Sequence, residues 1–140
     1  MSLAEMGGTD RPTLAARFVA GPKLFVPEDA ERRLADWLGD IPPEDAAALK
    51  AISDSFPQAK AILEGIAEAS PYLFDLMRAD AGRAVRLLQS DPDSHLAALI
   101  DRTVADVAAA ADDAEVMSAL RRMKSEAALL IALCDIGGVW

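Results

Sequence analysis

One cysteine, one histidine and one tyrosine are spread over 140 residues, and aromatic side chains make up only 5% of the chain. The lone cysteine, Cys134, cannot close an internal disulfide, and no metal-binding spacing surrounds it. It falls on an apolar stripe, so it reads as a small buried hydrophobe. An unoxidised thiol points to a reducing compartment, and a cytoplasmic location is expected. The lone histidine, His95, would need a facing nucleophile to act as a catalytic base. It reads instead as an ordinary surface residue in the first turn of a helix. The chain contains no HExxH, no CxxC and no Gly-rich phosphate loop.

Long apolar runs are also missing. None approaches the ~20 residues that span a bilayer, so no membrane partner is expected. The first ten residues, MSLAEMGGTD, lack the basic and then apolar order of a signal peptide. Basic residues are outnumbered 14 to 23, giving a net charge of −9. Phosphate neutralisation needs the opposite sign, so nucleic acid is not an expected partner. The densest basic clusters are Arg121, Arg122 and Lys124, then Arg78, Arg83 and Arg86. Both read as solvated helix faces, since long basic side chains commonly cover helix surfaces.

What the chain does have is helix-forming apolar material. Apolar residues reach 52%, and alanine is abundant. Alanine favours helices and disfavours strands, so the expected fold is all-α: a compact bundle of about seven helices. A flexible tail is expected over 1–12, followed by one helical domain over 13–140. Prolines punctuate that domain. Leu14 to Val19 can make two turns of helix, ended by Gly21-Pro22, with Lys23 to Val26 as an extended connector. Pro27 opens a helix that carries Glu28 and Asp29 at its positive end and buries Ala30, Leu34, Trp37 and Leu38. Gly39 sits where a helix stop belongs. Pro43 and Pro57 open the next two helices. Within the second of these, Gly65 predicts a close helix contact. Ser70-Pro71 and Asp91-Pro92 are cap-plus-proline starts, and Asp80 and Asp112-Asp113 can cap further helices. The two longest helices, about 92–111 and 113–136, are expected to pair antiparallel because their connection is so short.

The final helix is the most apolar. Val116, Leu120, Met123, Ala127, Leu130 and Cys134 follow a helical period, and the run Leu129 to Leu133 removes much of the polar side. A buried helix that ends on Gly137, Gly138, Val139 and Trp140 suggests a piece of a larger protein, with the rest of the polypeptide as neighbour. The same apolar end could serve a homo-oligomeric contact.

The catalytic inventory is poor. Asp91-Pro92-Asp93 has the Asp-x-Asp form used for magnesium, but its place at a helix start favours capping. Asp112-Asp113 and Glu44-Asp45 read the same way. Gly137-Gly138 follows a helix, not a strand, and fails the context of a phosphate loop. Tyr72 and Phe74 read as core or interface residues.

Three stretches carry a resemblance: ARFVAGPKLFVPEDAERRLADWL, SPYLFDLMRAD with RLLQSDPDSHLAAL, and EVMSALRRMKSEAALLIALCDIGGVW. Together they resemble the N-terminal part of the bifunctional glutamine-synthetase adenylyltransferase/adenylyl-removing enzymes, in their alphaproteobacterial form. The resemblance implies a helical segment of the deadenylylating half, lying before the nucleotidyltransferase core. In that family one half removes AMP from a tyrosine of glutamine synthetase by phosphorolysis, and the other half attaches AMP from ATP. The implied partners are glutamine synthetase and the PII signalling protein. Magnesium and ATP/ADP are implied for the full-length protein and no cofactor for this segment. The family's Gly-rich turn and paired aspartates have no counterpart here. No catalytic, cofactor-binding or metal residue is therefore assigned, and these residues alone are expected to be inactive. The alternative is a stand-alone helical interaction module with no enzymatic activity.

Overall fold

A computed structural model describes residues 11–140, which form eight helices and no strand among the described residues. The tail expected over 1–12 lies outside the described residues except for Arg11 and Pro12. The helices are α1 (Leu14–Arg17), α2 (Pro27–Asp40), α3 (Pro43–Ser55), α4 (Pro57–Ala69), α5 (Pro71–Ala79), α6 (Ala81–Leu88), α7 (Pro92–Ala109) and α8 (Asp113–Ile136).

Their starts follow directly from local chemistry. Proline occupies the first helical position of α2, α3, α4, α5 and α7, where its missing N–H costs nothing. Thr13, Ser70, Asp80, Asp91 and Asp112 each accept a hydrogen bond from the backbone N–H three residues on, capping α1, α5, α6, α7 and α8. No side chain caps α2. Instead the Glu68 carboxylate accepts from the N–H groups of Phe25 and Val26, both at 2.7 Å. That bond ties the connector before α2 to the end of α4.

The core is a single cluster. Leu14, Leu49, Ile62, Leu63, Met77, Leu87, Leu129, Leu130 and Leu133 are fully buried in it. α4 lies at its centre and is buried over most of its second half, because α2, α3 and α5 all pack on it. Trp37 of α2 meets Phe74 of α5 edge-on, with centroids 5.9 Å apart. α7 and α8 form the expected antiparallel pair, with His95 opposite Glu126 and the Ala111 N–H donating to Glu115 near the turn.

Several details depart from the sequence reading. α1 makes one turn rather than two, because the chain straightens at Phe18 and the Val19 N–H donates to the Gly137 carbonyl at 3.0 Å. Gly39 does not stop α2, which runs on to Asp40. Gly65 does permit a close approach, but its neighbour is the Pro22 ring of the connector rather than a helix. Tyr72 is exposed, although Phe74 is packed on the core. Before Glu126 only Ala119 of α8 is buried, and continuous cover begins from Glu126 onward. Before that point α7 is the one substantial neighbour of α8, so Val116 and Met123 are half-buried and Leu120 stays 39% exposed.

The two helical glycines should respond oppositely to alanine. At Gly39 nothing lies within 4 Å of an added Cβ, so Gly39→Ala should stabilise by about 0.5–1 kcal/mol. At Gly65 the Cβ would run into the Pro22 ring. Overpacking of about 1–3 kcal/mol then exceeds the propensity gain, and Gly65→Ala should destabilise. Urea unfolding midpoints of the two variants check the signs.

Candidate functional site

The most concentrated polar chemistry surrounds Glu126, a carboxylate buried on the inner face of α8. A charge there needs partners, since burying an ion alone is costly. Two helices supply them. Arg86 of α6 donates to one carboxylate oxygen at 2.7 Å. The Nε2 of His95, on the first turn of α7, lies 2.8 Å from the other. Arg102, two turns further along the same face of α7, brings Nη2 to 3.9 Å. Asp80 takes a second bond from Arg86 at 3.2 Å, holding that guanidinium over the carboxylate.

Burial pushes the Glu126 carboxyl toward its protonated form, but the hydrogen bonds from Arg86 and His95 outweigh it and hold it below the usual 4.5. Glu126 is thus a committed anion rather than a poised acid. Its position in α8 offered a sequence clue: it is the lone acid between Met123 and Leu130, on the stripe that turns buried. A lone charge there implies partners, although the sequence reading assigned it no role. His95, expected at the surface, is instead a side chain only 12% exposed and clamped to Glu126. Arg86, expected to be solvated, belongs to the same cluster.

Beside the cluster runs a cleft of about 310 Å³, walled by Arg86, Arg102, Asp106, Arg122 and Glu126. On the other side of the α7–α8 seam lies an apolar groove of about 490 Å³. Ile100, Val104, Val107, Leu120 and Met123 line it. Arg121, Arg122 and Lys124 are exposed and form no ion pair among the described residues.

The Asp91–Asp93 pair does not suit magnesium. Asp91 accepts from the Ser94 N–H at 3.1 Å and the Ser94 hydroxyl at 2.6 Å, and pairs with Arg17 at 3.2 Å and Arg11 at 3.4 Å. The Ser94 hydroxyl and the neighbouring arginine hold its carboxyl below 3.8 against the opposing effect of burial. Asp93 accepts from the Trp140 indole N–H at 3.0 Å and pairs with Arg17. Both carboxylates are spoken for by the fold. Among the described residues no three His, Cys, Asp or Glu side chains converge as a metal site. No described helix is long and apolar enough to cross a membrane. Cys134 is fully buried, and burial raises its thiol to about 11, with the Arg17 charge opposing.

Two outcomes follow. Glu126 takes up a proton less readily folded than unfolded, so its stabilisation is complete above about pH 4.5 and drains as pH falls through its lower folded value. Glu126→Gln should lose about 2 kcal/mol at pH 7, because Arg86 and Arg102 are partly exposed and rehydrate. Its stability should also fall less than the parent's between pH 5 and 3, as read by urea titrations across that range. Cys134 should resist a thiol-reactive dye at pH 8 in the folded chain and react fully once unfolded.

No family model matches this chain, and no solved structure matches it. Curated relatives do. One from Rhodopseudomonas palustris (strain BisB5) is 61% identical over 127 residues, covering 91% of this chain and 13% of the relative. One from Bradyrhizobium sp. (strain ORS 278) is 57% identical over 143 residues, covering 100% of this chain and 14% of the relative. One from Xanthobacter autotrophicus (strain ATCC BAA-1158 / Py2) is 46% identical over 136 residues, covering 97% and 14% respectively. All three are named bifunctional glutamine synthetase adenylyltransferase/adenylyl-removing enzyme. The chain thus spans only 13–14% of the length of these relatives. Identity at this level, sustained across the whole chain under one shared name, assigns these residues to the family of bifunctional glutamine synthetase adenylyltransferase/adenylyl-removing enzymes, of which they represent a helical segment.

Proposed function

We propose that this chain is the N-terminal helical portion of an enzyme that reversibly adenylylates a tyrosine of glutamine synthetase, and so regulates nitrogen assimilation. The segment belongs to the deadenylylating half and precedes its nucleotidyltransferase core. Its helices brace that core and help shape the surface that meets glutamine synthetase. ATP, ADP and magnesium act in catalytic domains elsewhere in the full-length protein, which works in the cytoplasm under control of PII. The carrying observation is 57% identity over the complete length of this chain to a relative bearing that name. A bracing role is supported by the commitment of the chain's buried and capping carboxylates to its own cations and backbone amides. The alternative of a stand-alone module is not favoured, since the relatives are enzymes about seven times longer by the coverage given above.

The test is phosphorolysis. Adenylylated glutamine synthetase and inorganic phosphate are supplied with either this chain or the full-length protein, and ADP release is measured. Release is expected with the full-length protein and not with these 140 residues alone. Turnover by the short chain would overturn the reading.

A further inference from the structure

The apolar groove of the α7–α8 hairpin starts close to Trp140. The Trp140 indole N–H donates to Asp93 at 3.0 Å, in the first turn of α7. Asp93 precedes Ile100, Val104 and Val107 by 7, 11 and 14 residues, so all four share one side of that helix. Ile100, Val104 and Val107 line the groove, with Leu120 and Met123 across from them. At a helical rise, Ile100 lies about 10 Å beyond Asp93 and Val107 about 21 Å. Trp140 is thus seated at one end of the groove and on its side of α7. On α8, Ile131 comes eleven residues after Leu120 on the same side, is half exposed, and carries apolar surface to that same end.

The backbone has also changed direction by this point. The Val139 N–H donates to the Cys134 carbonyl at 2.8 Å and Gly138 takes φ +69°, a left-handed cap that closes α8. Residues after Trp140 therefore start beside α7, not in line with α8.

The groove holds about 490 Å³, and nothing among the described residues covers it. Val104 is 65% exposed within it. Exposed charges of both signs surround the hairpin face, Asp101, Asp113 and Asp135 with Arg121 and Lys124, so charge selects no partner. Attachment does. A segment tethered at the mouth of a groove meets it at an effective concentration on the order of millimolar, which a separate molecule must match in solution. These residues span only 13–14% of their relatives' length, so a long polypeptide stands available for that position.

We propose that the polypeptide following Trp140 in the longer protein folds back into this groove as an amphipathic helix, its apolar side on Ile100, Val104 and Leu120. The proposal rests on the reading of this chain as the N-terminal portion of that protein. It makes the α7–α8 hairpin the seat on which the next part of the enzyme is mounted.

A photoreactive diazirine amino acid at position 104 of the full-length protein tests the proposal. On irradiation it should insert into the same polypeptide, within about 30 residues after Trp140, as read by mass spectrometry of the cross-linked peptides. Adducts confined to α7 and α8, or formed with a second copy or a remoter part of the polypeptide, overturn the proposal, and so does the absence of any adduct. Val104→Cys gives a second reading, at a position exposed enough to accept the change. Its thiol should react with a maleimide at least tenfold more slowly in the full-length protein than in the 140-residue chain. Equal rates overturn the proposal. Neither measurement depends on ADP release, so a failure here is distinct from a failure of the phosphorolysis test.

Discussion

A carboxylate buried between helices must be answered by positive charge, and Glu126 draws that charge from two neighbouring helices at once. Arg86 fixes α6, and His95 and Arg102 fix α7, all against the inner face of α8. Apolar packing is non-directional and by itself specifies the register of α7 on α8 less sharply than hydrogen bonds do. A single polar cluster removes that freedom, because only one register satisfies all its hydrogen bonds. The cluster therefore sets where the free half of the hairpin begins. On one side of it α8 is enclosed by the core. On the other, α7 and α8 have mainly each other.

Much of the architecture was legible in local sequence. Proline at the first helical position and serine or aspartate just before it are short-range signals, and they located the starts of α5, α6, α7 and α8. The antiparallel hairpin followed from the brevity of its connection. What the sequence concealed was long-range. Gly39 resembles a stop signal, but it keeps a negative φ rather than the left-handed turn of a glycine cap, and α2 ends one residue later at Asp40. The straightening at Phe18 depends on a partner at Gly137, too distant in the chain for any local pattern to report.

The polar residues illustrate the same division. Asp91 could be read as a cap from its neighbours alone, and it is one. His95 could not be read correctly, because its surroundings are set by Glu126 on another helix. Periodicity placed Leu120 and Leu130 on one stripe of α8. It could not say that the first would remain exposed and the second be sealed. Burial depends on how far the remaining helices reach, which is a property of the assembled domain rather than of the stripe.

The last turn of the chain joins distant parts of the fold. Gly138, at φ +69°, reverses the backbone after α8. The Trp140 indole reaches Asp93 at the start of α7, and the Gly137 carbonyl receives the Val19 N–H. Segments from opposite ends of the described sequence are thereby knotted together by a handful of bonds. Helical turns and the α7–α8 pair can form from neighbours in sequence, whereas this knot must wait for almost the whole polypeptide to gather. Once tied, it gives the edge of the domain a strength that neither segment has alone, and fraying of one must release the other.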